Sequence, residues 1–313
     1  MNAAMTEKGF LTIAIGDKFR SLAKCLIKSY RLSQSKTPFF VVSDRADREL
    51  GELFDGLVVD QSEGNLAGFL HKLNMYENSP CRETIFIDAD CIITKNIDHY
   101  WEIFAQSGQS VSVFGTQGSR EKGADSFFDF AHVSAQYGIE EFPMFNGGVY
   151  YFRRGDTAER VFAEAKDLVP AYDALGCRRL RGNINEEPLM SLGMAIHGQR
   201  ATRDADNTAM FCTPGLTHLE IDVLEKKCRF LKHGTPVFPS TMHWGTDITE
   251  KSYIYRRESL KVSGLFRGLP RGLIRFLLFF PDALYRCMVL AYRIARHKEI
   301  QPRNSMPMRF KGY

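Results

Sequence analysis

Thr84-Ile85-Phe86-Ile87-Asp88-Ala89-Asp90-Cys91-Ile92-Ile93-Thr94-Lys95-Asn96-Ile97 is the stretch whose reading decides the fold. Two short apolar runs rich in strand-formers, Ile85 to Ile87 and Cys91 to Ile93, flank a pair of carboxylates. In an extended chain, residues i and i+2 point to the same side, so Asp88 and Asp90 are expected to face one spot. Two carboxylates there repel each other unless a cation lies between them. Hard oxygen ligands after a buried strand suit Mg2+ or Mn2+, which keep open positions for substrate phosphates. An isolated D-x-D is short, and by itself it reads more readily as a strand end where two aspartates meet solvent. The residues around it decide.

Upstream, Phe10 to Ile15 reads as a first strand closed by Gly16-Asp17. Lys18 to Ser33 carries Phe19, Leu22, Ala23, Leu26, Ile27 and Tyr30 at helical spacing. Phe39 to Val42 and Leu57 to Val59 are further short strands, ending on Ser43-Asp44 and Asp60. Strands alternating with helices imply a doubly wound α/β sheet with parallel pairing, and ligands bind beyond the carboxyl ends of such strands. Gly16-Asp17, Ser43-Asp44, Asp60 and Asp88-Ala89-Asp90 all belong to that edge. A G-x-G-x-x-G run and a phosphate-loop lysine motif are both missing, which disfavours a dinucleotide site and a P-loop.

Downstream, Trp101 to Phe104 reads as a helix and Ser110 to Gly115 as a strand. Residues 116 to 144 are polar and turn-rich, and are expected to form a long loop over the site for the acceptor. Phe145 to Phe152 reads as a strand whose Gly147-Gly148 lets a ligand approach the backbone, with Asn146 offering an amide to sugar hydroxyls. Glu186-Glu187-Pro188 opens a helix, where acids also suit the positive helix end. Residues 228 to 246 alternate strand and turn and arrive at Thr241-Met242-His243-Trp244-Gly245.

In their order these segments resemble the family 8 glycosyltransferases and related GT-A enzymes, of the glycogenin and lipooligosaccharide galactosyltransferase type. The resemblance rests on His71-Lys72-Leu73-Asn74-Met75-Tyr76, the D-x-D strand, Asn96-Ile97-Asp98, Phe145-Asn146-Gly147-Gly148-Val149 and His243-Trp244-Gly245, and covers roughly residues 10 to 250. It implies a GT-A nucleotide-diphospho-sugar transferase fold, Rossmann-like with a mostly parallel central sheet. It also implies metal-dependent transfer of a sugar from a nucleotide-sugar, by default a UDP-sugar, to a glycan or lipid-linked acceptor with retention. Asp88, Asp90 and His243 would hold Mn2+ or Mg2+, and the softer imidazole favours Mn2+. Asp17, Phe19, Lys72, Asp88, Ala89, Asp90, Asn146, Gly147 and Gly245 would bind the donor. Phe19 stands where the family has a tyrosine against the base, and it reads equally as the first core residue of its helix. Glu186 or Glu187 would face the transferred sugar, and the motif does not choose between them. The family's diphosphate-binding lysine, six residues after the histidine, is absent, since position 249 is threonine and Lys251 is eight on. Trp244 and Tyr253 are expected to pack near the site.

Hydrophobic residues make up 44% and charged residues 25% of the 313, ordinary values for a globular protein. Seven scattered cysteines without a C-x-x-C pair argue against a disulfide framework or zinc cluster and read as reduced, cytoplasmic thiols. No run reaches the ~18 apolar residues of a membrane span. The net charge of +4 is uneven: residues 256 to 313 carry 13 Lys+Arg against three acids. The expected organisation is a catalytic domain over 1–258 and a basic, amphipathic helical extension over 259–313. Arg271, Arg275, Arg286, Arg293 and Arg296 punctuate apolar clusters there, and Pro270 and Pro281 are expected to break the tail into short pieces. Such a tail would rest on the anionic cytoplasmic face of a membrane, and it is too apolar for an arm that tracks nucleic acid.

Three rival readings compete with this one. A phosphatase of the haloacid dehalogenase type places D-x-D near the N-terminus, followed two residues on by Thr or Val, and here Ile92 stands there. A sugar nucleotidyltransferase needs an Arg-containing Gly-rich loop where Gly16-Asp17-Lys18-Phe19 stands. A non-catalytic nucleotide-sugar-binding member would keep the fold without turnover.

Overall fold

The computed structural model describes residues 5–60, 68–119, 127–249, 251–266 and 268–295. The apolar runs become strands wherever both faces can be covered. β1 (Thr6–Ala14) buries Phe10, Leu11 and Ala14, and α1 (Gly16–Ser33) lays Leu22, Ala23, Leu26, Ile27 and Tyr30 against the sheet. β2 (Phe39–Ser43), α2 (Arg48–Leu53) and β3 (Gly56–Val59) follow. A 3-10 segment (Gly68–Asn74) and α3 (Met75–Asn78) lead into β4 (Cys81–Ile87). Next come β5 (Cys91–Ile93), α4 (Tyr100–Ser107), β6 (Val111–Gly118), α5 (Phe130–Tyr137), β7 (Phe142–Arg153) and α6 (Asp156–Asp167). After α7 (Glu186–Ile196) the chain forms β8 (Met210–Cys212), β9 (Leu216–Asp222), β10 (Lys227–Lys232), β11 (Thr235–Val237) and β12 (Thr241–His243). It continues through α8 (Thr246–Thr249), α9 (Tyr253–Val262) and α10 (Arg271–Ala295).

The main sheet has the order β3-β2-β1-β4-β7-β6. β1 to β4 pair in parallel, and β7 runs antiparallel between β4 and β6. The mostly parallel α/β architecture read from the sequence is therefore present. Each face carries its own core. One is built around α1, α4 and Trp244, and the other around α6, α7 and the 3-10 segment. Two small sheets lie beyond it, β5-β12-β8 and the meander β9-β10-β11.

Two expectations fail here. Residues 116–144 are no long loop: β6 runs on to Gly118, β7 begins at Phe142, and α5 lies between them, with 120–126 outside the described residues. Four of its seven charged residues, Arg120, Glu121, Lys122 and Asp125, lie outside the described residues. Nor does Pro281 break the tail, because it lies inside α10. Anchors on both sides of it hold the helix to the body: Ile274 is buried, Asp282 accepts from Tyr253 (2.5 Å) and pairs with Arg257 (3.2 Å), and Tyr285 stacks on Tyr253. The proline's missing hydrogen bond is outweighed by tertiary packing. The division expected after residue 258 falls within α9, where Glu258 and Lys261 are buried and paired at 3.0 Å. The tail arginines at 271, 275, 286, 293 and 296 lie, as side chains or whole residues, outside the described set, as does all of 296–313.

Candidate active site

Asp88-Ala89-Asp90 occupies a turn between β4 and β5 rather than an extended strand, closed by Cys91 N–H donating to the Asp88 carbonyl at 3.1 Å. Two neighbours pin the turn. Asp88 N–H donates to Gly148 O on β7 (3.0 Å), and Trp244 N–H, just after β12, donates to Asp90 O (3.3 Å). The carboxylates therefore converge because two strands hold the turn from opposite sides.

β12 is the centre of its three-stranded sheet, with His243 opposite Cys91 on β5 and Cys212 on β8. That register carries the His243 ring to the turn. Its Nε2 lies 3.0 Å from Asp90 Oδ1 and 3.5 Å from Asp88 Oδ2, while its Nδ1–H donates to Asn146 Oδ1. Asn146 thus orients the histidine, a role the sequence did not suggest. Asp90 and His243 are buried rather than solvent-facing. Burial alone would lower the His243 pKa, but Asp90 and then Asp88 outweigh it and raise it. Burial raises the Asp88 pKa. The cluster thus demands a positive charge.

Two glycines make room for this arrangement. A β-carbon on Gly148 would stand 2.8 Å from His243 Nδ1, and one on Gly147 would stand 2.7 Å from Glu186 Oε1. What approaches this backbone is the site's own histidine and glutamate.

Lys72, in the 3-10 segment, is half-buried and ion-paired rather than a solvated helix lysine. Its Nζ lies 2.7 Å from Asp88 Oδ2 and 2.8 Å from Glu186 Oε1, and it donates to Gly147 O at 3.1 Å. Burial opposes its charge, but Asp88 and Glu186 outweigh that and raise its pKa.

The adjacent glutamates of α7 separate clearly. Glu186 is fully buried, and burial pushes its carboxyl up to about 7 against the pull of Lys72. Tyr150 OH donates to it at 3.4 Å. Glu187 instead accepts the Gly147 N–H at 2.6 Å and the Asn185 amide at 3.1 Å. The helix cap is Asn185, whose side chain accepts from Glu187 N–H.

Phe19 is exposed in the first turn of α1, so it is not the core residue that helical spacing allowed. Asp17 is exposed and paired with Arg20 (2.5 Å) and Arg45 (3.0 Å). With Leu11 opposite Phe86, α1 begins on the edge that carries Asp88. Trp244 is fully buried and meets Tyr255 edge to face, whereas Tyr253 stacks on Tyr285 of α10, contrary to its expected place beside the site. Gly245 turns the chain with a φ of 74°.

The donor set fits a hard or borderline divalent cation. Ligand bonds of about 2.1 Å at right angles put neighbouring donors about 3 Å apart, which is the Asp90–His243 separation. Cys91 was not foreseen beside them. Its sulfur lies within the 4.8 Å spread of the Asp90 and His243 donor atoms. Burial raises its thiol well above the usual range, and a bound divalent cation would lower it again.

No protein-family model matches the chain. No curated protein matches it by sequence either. Among solved structures it is similar to the galactosyltransferase LgtC in complex with donor and acceptor sugar analogs. Identity is 11%, the match covers 84% of this chain and 98% of that one, and the TM-score is 0.51. An active-site mutant of LgtC matches over the same shares of both chains at 12% identity, again with a TM-score of 0.51. The chain therefore has the GT-A glycosyltransferase fold.

Proposed function

We propose that this chain is a metal-dependent glycosyltransferase that moves a sugar from a nucleotide-sugar donor, by default a UDP-sugar, to a glycan or lipid-linked acceptor with retention. The observation that carries it is the convergence of the half-buried Asp88 with the buried Asp90 and His243 at the carboxyl end of a central strand. The LgtC structure, solved with donor and acceptor sugar analogs on the same fold, supports the substrate class.

Asp88, Asp90 and His243 would hold Mn2+ or Mg2+. Such a cation supplies a Lewis acid for the departing nucleoside diphosphate. Asn146 keeps the His243 Nε2 turned to the site. Lys72 neutralises Asp88 and Glu186 between turns. Glu186 presents the buried carboxylate that favours positive charge developing on the sugar. Being engaged by Lys72, it acts as a stabiliser rather than a nucleophile, which accords with a same-face reaction. Glu187 holds Gly147 in place.

Among the described residues no helix is long and apolar enough to cross a membrane. α10 nevertheless exposes Leu273, Phe276, Leu277, Leu284 and Met288 at helical spacing on a strongly basic segment. That face suits lying on an anionic bilayer on the cytoplasmic side, which would place a membrane-borne acceptor near the site.

The test is a panel of nucleotide sugars offered singly with Mn2+ and scored for slow hydrolysis. One donor should be consumed, and EDTA should stop it. Absence of both binding and hydrolysis across the panel overturns the reading.

A further inference from the structure

We propose that Asp90, Cys91 and His243 form a second mode of metal binding at the closed end of the site, a sulfur-containing one that takes a thiophilic cation of the zinc class and idles the enzyme. The inference rests on the metal-dependent reading above, but it turns on a residue which that reading leaves aside.

Cys91 follows the Asp88-Ala89-Asp90 turn directly and is the first residue of β5. It lies opposite His243 across the antiparallel β5–β12 pair. Side chains opposed in this way share a face, with β-carbons about 5 Å apart, so the register itself brings thiol and imidazole together. One donor atom from each of Asp90, Cys91 and His243 falls within 4.8 Å of the others, and all three residues are buried. Aspartate oxygen, cysteine sulfur and imidazole nitrogen are the ligand types that zinc takes, and three protein ligands leave its fourth position open. A tetrahedral centre with bonds of about 2.0 to 2.3 Å separates its donors by about 3.4 to 3.6 Å. Asp90 Oδ1 and His243 Nε2 already lie 3.0 Å apart, so the set is within reach of such an ion.

Asp88 separates this mode from the one that serves transfer. It is half-buried, and its Oδ2 lies 2.7 Å from Lys72 Nζ but 3.5 Å from His243 Nε2. Without a donor, therefore, Lys72 holds Asp88 and the three inner groups are left as the nearer set. A hard cation that keeps positions for phosphate oxygens is served by the carboxylate-rich set that includes Asp88. Thiolate instead selects soft and borderline cations, and zinc outranks manganese at mixed sites in any case. Ligation exchanges the Cys91 thiol proton for the cation, and the proton passes to buffer. The two ions exclude each other, because both need Asp90 and His243.

The test uses the full, reduced, donor-free chain. Titration with Co2+ or Cd2+ should raise a near-ultraviolet thiolate-to-metal charge-transfer band that saturates at one ion per chain. Cys91→Val, which keeps an apolar strand-former at the buried position, and Cys91→Ser, nearest in size, should each remove the band. Calorimetry should show Zn2+ binding weakened by at least the about 10- to 100-fold that even an outer partner of a metal ligand is worth, with a smaller change for Mn2+. In the wild type Zn2+ should displace Mn2+, read as the return of the paramagnetic resonance signal of free Mn2+. A wild type without the band overturns the proposal. So does a band that survives both substitutions, which would place it on another of the seven cysteines, or equal Zn2+ affinity in wild type and variants. Mn2+ binding without the band sinks this mode alone, whereas binding of neither Mn2+ nor Co2+ sinks the metal reading and this inference with it.

Discussion

His243 donates its Nδ1 proton to the side-chain oxygen of Asn146. The bond fixes which ring nitrogen faces Asp88 and Asp90, and outer partners of this sort are commonly worth 10- to 100-fold in metal affinity. We predict that Asn146→Ala weakens Mn2+ binding by about that factor, measured by calorimetry on the donor-free protein. Asn146→Asp should restore most of it. Unchanged affinity in Asn146→Ala would show that strand packing alone holds the ring.

Metal removal is the most direct check on the cluster. EDTA should abolish turnover and Mn2+ should restore it. Because Asp90 is buried, Asp90→Asn is a gentler probe than a truncation. It should lose the Mn2+-dependent rise in melting temperature while keeping the circular dichroism of the wild type. Full activity of that variant in chelator sinks the metal reading.

Glu186 and Glu187 should part company in kinetics. Glu186→Gln is expected to lower kcat at least 10-fold with a smaller change in donor KM, since its charge matters most in the transition state. Glu187→Ala frees the Gly147 N–H and should cost about 2 kcal/mol of stability, as for a lost hydrogen bond to a charged group. The reverse pattern would exchange their roles.

Glu186 also makes a pH prediction. Burial lifts its carboxyl from 4.5 to about 7, so between those values the folded chain holds a proton that the unfolded chain has released. Its contribution is fully present below about pH 4.5 and is lost as pH rises towards 7. In metal-free protein, wild-type stability should fall across this window more steeply than that of Glu186→Gln. Parallel denaturation curves at pH 5 and 8 would refute the raised carboxyl.

For the tail, Phe276→Glu with Leu284→Glu should abolish co-sedimentation with liposomes containing anionic lipid and leave hydrolysis of a soluble donor unchanged. Both residues are exposed, so folding should be unaffected. Binding that ignores lipid charge and these substitutions would end the membrane proposal.

Much of the fold was legible because β1, α1, β2 and β4 each carry a long enough apolar pattern to declare their period. Asp88, Asp90 and His243 were legible for a different reason, since charged or imidazole groups beside apolar strands stand out. The sheet that joins them was not. β5, β12 and β8 have three residues each, too few for any periodicity, and their pairing is decided by distant partners. Glu186 and Glu187 could not be told apart because one residue on a helix is a 100° turn, which only packing converts into burial for one and a backbone contact for the other. Asn146 looked like a ligand-facing amide because its partner lies almost a hundred positions later. Pro281 misled because helix-breaking propensity is local, while Asp282 and Tyr285 are held by another helix.

The β5–β12 pairing also sets an order of assembly. Asp90 and His243 meet only after everything from residue 91 to 242 has been threaded back onto the first half-sheet, so the site closes a long excursion of the chain. Contacts of such sequence separation carry a high loop-closure cost and tend to form late. An ion taken up there would act as a rivet between early-folding and late-folding halves, resisting unzipping from the C-terminal side. Protease resistance gained on adding Mn2+ should therefore concentrate in β8 through α9 and spare β1 to β4.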